Sequence, residues 1–357
     1  MRTVTDGETQ RKGTRGAPPA NAAAENAAKS RPRGGSAEPD AEQDYSDADI
    51  RALVKGLDSL QGGKLAAAAL IGCGARAIPA LREFLLKGRP RGVFQPRQLA
   101  VKTLAELGAK DVLMEYLLQP KTFADPVVRF GEDAVISTAA RALAKWPSDE
   151  TFEFLCHLAT DRVLFGVVEG LAQFKRADAA PYLLKALGDD ICRRGAEAGL
   201  EQLGVQIQPW LVAAANHPEP SPEDETPSSR IRRRTALRIL AGQELSRGDW
   251  WQLRQLLFDS DPEVSLRASQ IAFQIGSPED QQIAVQQMIQ ALPRVNWFVR
   301  NEVRDCLVKH FADVGPLIRN EVARRAVGAT CNGPADIIAS LLLSVVREAD
   351  QGLKKDG

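Results

Sequence analysis

A short apolar helix, a tight corner and a second apolar helix return about eight times along this chain of 357 residues. From about Leu65 the phrase reads AAAALIGCG, AVKTLAELG, AARALAKWP, VVEGLAQFK, AEAGLEQLG, TALRILAGQ, ASQIAFQIG and VRDCLVKHF, with corners roughly 28 to 39 residues apart, a spacing that marks tandem units. One helix of such a pair cannot bury its apolar stripe alone, so neighbouring pairs must stack over a shared core. The period therefore predicts an all-α chain, an α-solenoid (α-α superhelix) of about eight hairpins. They are expected near 63–87, 96–118, 132–159, 162–187, 190–215, 230–258, 263–291 and 296–326. Ser46-Asp-Ala-Asp49 offers side-chain oxygens to open a first capping helix. A closing helix is expected from about Pro334 to Glu348, with Ile337, Ile338, Leu341, Leu342, Val345 and Val346 at helical spacing. Pro79, Pro181, Pro209 and Pro316 recur where second helices should begin, in a turn that has no use for the missing amide.

Outside residues 46–351, which carry the repeats, the pattern stops. Residues 1–45 are rich in Ala, Gly, Pro, Arg, Glu, Asn and Ser, almost without large apolar side chains, and are expected to be a disordered tail, with a partner-binding or targeting arm as the alternative. Residues 352–357 are expected to be a flexible C-terminus. NHPEPSPEDETPSS, residues 216–229, has no periodicity and is expected to be an exposed Pro-rich acidic loop, a tolerated insertion with a hinge or a binding segment as the alternatives.

The 46 basic and 46 acidic residues cancel, which gives no support to a protein that wraps nucleic acid. Cys73, Cys156, Cys192, Cys306 and Cys331 are odd in number and irregularly spaced, so no disulfide framework is expected. No apolar run reaches the roughly 18 residues of a membrane span. A cytoplasmic protein without membrane contact is the expectation.

DPVVR at Asp125–Arg129 and DPEVSLRASQIAFQIG at Asp261–Gly276 carry a family likeness. With them the chain resembles the HEAT-repeat proteins, in particular the short bacterial HEAT-like type, over nearly everything after the tail. Looser copies are NWFVRNEV, with Val299 and Arg300, and DDICRRGAEAGL, with Asp190 and Arg193; Ser265 stands where the seventh unit should have Arg. The resemblance implies that the Asp caps a helix start and the Arg bonds between neighbouring units, and it implies binding rather than a particular reaction.

Residues that carry chemistry are sparse. His157, His217 and His310 are far apart, and none is followed by Glu, so neither a metal site nor any other cofactor is expected. Cys156 and His157 are adjacent and point about 100° apart on a helix, a poor nucleophile and base. Gly62-Gly-Lys64 lacks the remainder of a phosphate loop. The sharper cluster lies in the sixth to eighth units. Arg230, Arg232, Arg233 and Arg234 precede Trp250 and Trp251, then Trp297, Phe298, Arg300 and Arg304. Trp and Arg are enriched at binding hot spots, and of adjacent Trp250 and Trp251 only one can face the core fully. The expectation is a non-enzymatic scaffold that holds a protein or peptide along a concave face, with Arg232, Arg233, Arg234, Trp250, Trp251, Trp297, Arg300 and Arg304 as candidate contacts. Arginines beside aromatics also suit phosphates and stacked bases. The second expectation is therefore a DNA-binding or DNA-repair enzyme like the HEAT-like alkylpurine glycosylases, and a HEAT-like lyase is a third.

Overall fold

A computed structural model describes residues 45–59, 61–90, 92–119, 123–328 and 337–353. The expected tail, Cys331 and the expected opening of the last helix at Pro334 lie outside the described residues. The described chain is helical throughout, without a strand. Helix α1 (Asp47–Gly56) is followed by α2 (Gly63–Gly72) with α3 (Ile78–Lys87), α4 (Gln95–Glu106) with α5 (Lys110–Leu118), and α6 (Pro126–Leu143) with α7 (Asp149–Asp161). Then come α8 (Phe165–Phe174) with α9 (Ala180–Ala186), α10 (Arg193–Leu203) with α11 (Gln208–Asn216), and α12 (Pro227–Ala241) with α13 (Arg247–Leu253), which runs into a 3-10 turn at Arg254–Phe258. The last pairs are α14 (Pro262–Ile275) with α15 (Pro278–Ala291) and α16 (Trp297–Lys309) with α17 (Phe311–Gly328), before α18 (Ile337–Leu353).

Local chemistry sets the helix starts. Ser46 and Asp49 form a reciprocal capping box on α1. Asp125 accepts from the Val127 amide at 2.8 Å, and Asp261 accepts from Glu263 at 2.9 Å and Val264 at 3.0 Å, so both Asp-Pro copies cap helices. Pro79, Pro181 and Pro209 occupy the first turns of α3, α9 and α11. Pro316 departs from the expectation: α17 starts at Phe311, directly after α16, which leaves this proline inside the helix.

The first helices of successive pairs contact one another from α2 through α16, and the second helices form a row of their own. Polar contacts show how each row runs. Lys145 at the end of α6 meets Glu106 at the end of α4 at 2.7 Å, and Gln274 near the end of α14 donates to the carbonyl of Ala241, the last residue of α12, at 2.8 Å. Near the opposite ends, Lys110 of α5 meets Glu150 of α7 at 2.7 Å. Like ends adjoin like ends, so neighbours within a row run parallel. Small residues permit this approach: a Cβ on Gly166 of α8 would fall 1.8 Å from the Ser137 carbonyl oxygen of α6. The shared core is mainly leucine and alanine, with Leu70, Leu104, Leu143, Leu171, Leu200, Leu240 and Ile271 fully buried along the first row.

One buried polar knot ties the second pair to its neighbours. Arg97 of α4 donates to both Glu132 oxygens, at 3.1 and 2.9 Å, and to the carbonyls of Leu85 and Gly88 at the end of α3. Tyr116 of α5 donates its phenol to Glu132 at 2.5 Å. The arginine thus answers carbonyls that the end of α3 cannot bond internally.

Candidate functional site

The arginines of the expected cluster do the same work further along. Arg233 is buried, donates to the Ala215 carbonyl near the end of α11 at 2.8 Å, and pairs with Glu225 at 3.1 Å and with Asp259. Arg300 donates to the Leu292 carbonyl after α15 at 2.9 Å, and Arg193 to the Leu187 carbonyl after α9 at 3.1 Å. Ser265, standing in the arginine position, donates its hydroxyl to the Leu257 carbonyl at 2.7 Å, so a shorter side chain serves the same acceptor. Arg234 pairs with Asp261 and, at 3.0 Å, with Glu263. Arg232 bonds the His217 carbonyl at 2.9 Å and Glu219 at 2.7 Å, and Arg304 turns to its neighbour Asp305 at 2.7 Å.

These contacts correct two expectations. Arg233 has no surface to offer a partner, because α12 presses it between two carboxylates and a helix end. The acidic stretch between α11 and α12 is not wholly exposed: Glu225 is buried as the counter-ion of Arg233 and accepts from Ser229 at 2.9 Å. The stretch also ends earlier than expected, because Thr226 caps α12.

The adjacent tryptophans separate as helical geometry requires. Trp250 is 3% exposed and donates its indole N–H to Asp280 of α15 at 3.0 Å, so it belongs to the core and not to the candidate surface. Trp251 is 68% exposed. The Arg254 guanidinium lies over its ring at 5.7 Å and reaches on to Asp280 at 2.6 Å. Asp280 also closes the capping box of α15 with Ser277. Desolvation works to raise its carboxyl, but hydrogen bonds from Trp250, Arg254 and Ser277 outweigh it and hold the group below the usual carboxylate range. One anchored carboxylate therefore fixes the buried indole and steadies the cation that covers the displayed one.

A second displayed indole, Trp210 of α11, escaped the reading of the sequence. It is about half exposed, on the helix beside α13. A signal was present: Pro209 opens the helix, and Trp210, Leu211 and Val212 follow in a row, too many large apolar groups for one face. Leu211 and Val212 are buried and Trp210 turns outward. Gln208 of α11 donates to the Glu244 carbonyl before α13 at 2.8 Å, and Gln255 donates to Asn216 at the end of α11 at 3.0 Å. These bonds set α11 and α13 parallel, with Trp210 and Trp251 on their outward faces.

The helices that carry these indoles expose few charged groups of their own, although Glu244 is exposed just before α13 and Arg254 covers Trp251. Among the described residues of α11, α13 and α15, the exposed charged groups are Arg247 and Glu279, each in a first turn. Gln252, Gln282, Gln286 and Gln290 are exposed as well, and Gln286 and Gln290 line a groove with Glu321, Arg324 and Arg325 of α17. In the same row, α5 and α7 expose Asp111, Asp149, Glu150, Glu153 and Asp161. Trp297 and Phe298 form a separate exposed pair at the start of α16, with ring centroids 5.2 Å apart at 76°. No ring contact joins them to Trp251 among the described residues.

Nucleophilic and metal chemistry find little footing. Burial, then the Asp189 carboxylate, pushes the Cys192 thiol up to about 12, and burial pushes Cys306 up to about 11. The Cys156 thiol is raised by burial as well, so it is held protonated beside His157. His310 stacks on Phe273 at 4.8 Å, and burial together with Lys309 lowers its basicity. Among the described residues no group of three or more His, Cys, Asp and Glu stands close enough to hold a metal, and no helix is long and apolar enough to cross a membrane. Compared with known proteins, the chain matches no family model and no curated protein.

Proposed function

We propose that this chain is a non-enzymatic α-solenoid scaffold of HEAT-like helix pairs that holds a protein or peptide partner along the outward side of its second helices. The observation that carries this reading is the display of two large aromatic side chains, Trp210 and Trp251, on the neighbouring helices α11 and α13, whose one exposed charged residue is Arg247. Parallel rows of helices, joined by polar contacts one unit apart, are what a superhelix of tandem pairs requires, and such stacks use their extended concave surface for binding. The DNA alternative is weakened by the same contacts that engage the arginines. Arg233 and Arg234 are each held by two carboxylates, so few cations of the cluster are left for phosphates. Cysteines that are free and widely spaced suit a reducing, cytoplasmic setting.

The test is a selection of displayed peptides on the full-length chain, followed by affinity measurement on Trp210→Ala and Trp251→Ala. Ligands that lose roughly ten-fold or more in affinity with either variant support the reading, as hot-spot aromatics would. Ligands indifferent to both substitutions, or salt-sensitive retention on duplex DNA in their place, would overturn it.

A further inference from the structure

The edge where the first helices begin carries a patch of another character. A Cβ on Gly92, shortly before α4, would fall 3.2 Å from Val127 Cγ1 in the first turn of α6, so the two segments touch. Two residues on, the Phe94 ring meets Phe130 of α6 edge-on, with centroids 6.4 Å apart. The two contacts hold residues 92–94 against the start of α6, and Val93 lies between them in the chain. Val93, Val127 and Phe130 are nonetheless 61%, 63% and 66% exposed. Single apolar groups at a surface are ordinary, but three joined in one ordered patch mark a place that meets something apolar.

Charge narrows what that is. Arg89 and Arg129 are exposed beside these side chains, and neither is engaged by a carboxylate among the described residues. Elsewhere arginines at the surface find one, as Arg82 does in Glu115, Arg162 in Asp133 and Arg238 in Glu197. Among the described residues of 88–95 and 123–131 the one carboxylate is Asp125, which is turned to the Val127 amide as a helix cap. The patch thus calls for an apolar phase with anions at its boundary. An anionic bilayer is such a phase: apolar side chains enter the headgroup boundary to about 5–10 Å while guanidinium groups stay among the phosphates. Nucleic acid would answer the arginines but has no use for the aliphatic Val93 and Val127. An acidic peptide would have to wrap side chains that stand out from the surface, whereas acyl chains close around them. Attachment of this kind needs no spanning helix, and the described residues hold none. Exposed Glu223 and Asp224 precede α12 on the same edge, so the contact is confined to the units before them.

We propose that residues 92–94 and the first turn of α6 dock on an anionic lipid surface, with Val93, Val127 and Phe130 entering the acyl boundary and Arg89 and Arg129 meeting lipid phosphates.

The experiment floats full-length protein with vesicles of phosphatidylcholine alone and of phosphatidylcholine containing about one-quarter phosphatidylglycerol. The anionic vesicles are expected to bind roughly ten-fold more tightly or better, and less so as salt is raised. Phe130→Ser should weaken binding about ten-fold, and Arg89→Gln and Arg129→Gln about five-fold each. Trp251→Ala, on the second helices, should leave it unchanged. Circular dichroism melts on each variant separate lost binding from lost fold, and the exposed arginine variants keep the test decisive if Phe130→Ser unfolds. Failure to float with either vesicle would overturn the assignment, as would equal retention on both. So would unchanged flotation of well-folded Phe130→Ser and Arg129→Gln, or its loss with Trp251→Ala. Retention of duplex DNA or an oligoglutamate peptide through Arg89 and Arg129, in place of vesicles, would overturn it as well.

Discussion

Replacing Asp280 with alanine tests whether the buried part of the site holds its displayed part. The carboxylate accepts from the Trp250 indole at 3.0 Å, pairs with Arg254 at 2.6 Å and bonds the Ser277 amide at 3.1 Å. Without it, the buried indole N–H has no acceptor, which costs about 1–3 kcal/mol. The lost half of the capping box costs up to about 1 kcal/mol, and the half-exposed arginine pair adds at most about 1 kcal/mol. Asp280→Ala is therefore expected to destabilise by about 1–5 kcal/mol, read from urea or guanidinium midpoints. A double-mutant cycle isolates the central term. In a Trp250→Phe background no indole N–H remains to be stranded, so the same substitution should cost about 1–3 kcal/mol less. Costs that add within about 0.5 kcal/mol would show that Asp280 and Trp250 are not coupled, and the account of the site as one anchored unit would be wrong.

Other outcomes follow from the same geometry. Trp250→Ala should destabilise by about 3–5 kcal/mol as a core truncation, whereas Trp251→Ala should stay within about 0.5 kcal/mol of the parent; equal effects in thermal or chemical denaturation would contradict the burial assigned to them. Gly166→Ala forces a methyl against the Ser137 carbonyl oxygen, so α6 and α8 must separate. Hydrogen exchange should show protection lost first in α6 and α8, and unchanged exchange there would refute the close packing. The Asp261 and Asp280 carboxyls are both held below their ordinary range. The stability they contribute is full above the unfolded carboxyl pKa of about 3.9 and is lost as pH falls through their lower folded values. Denaturation midpoints should thus hold from pH 7 to about 5 and fall below about pH 4, with a shallower fall in Asp280→Asn; an identical acid profile in that variant would refute the linkage.

The parts of the fold that were legible are those decided within a turn or two of helix. Ser46, Asp125 and Asp261 cap helices whose free amides lie two or three residues away, and the paired helices from α2 to α17 follow apolar stripes readable from spacing alone. Pro316 was misplaced because a proline at the start of a helix and one inside a helix look alike until the corner between α16 and α17 is seen to be a single residue, His310, six residues before it. Arg233 and Trp250 of the candidate cluster turn inward for a different reason. Arg233 meets Glu225 and Asp259, and Trp250 meets Asp280, across separations of 8 to 30 residues set by how one pair stacks on the next.

The sequence by itself determined that the chain forms tandem helix pairs, because helical periodicity and capping are local properties of neighbouring residues. Only the tertiary structure decided which arginines are neutralised inside, which of two adjacent tryptophans is displayed, and that Trp210 stands on the helix beside it. Those outcomes depend on the register between parallel helices, and register emerges from the fit of Ala, Gly and Leu surfaces along whole helices, which no single stretch of the chain contains.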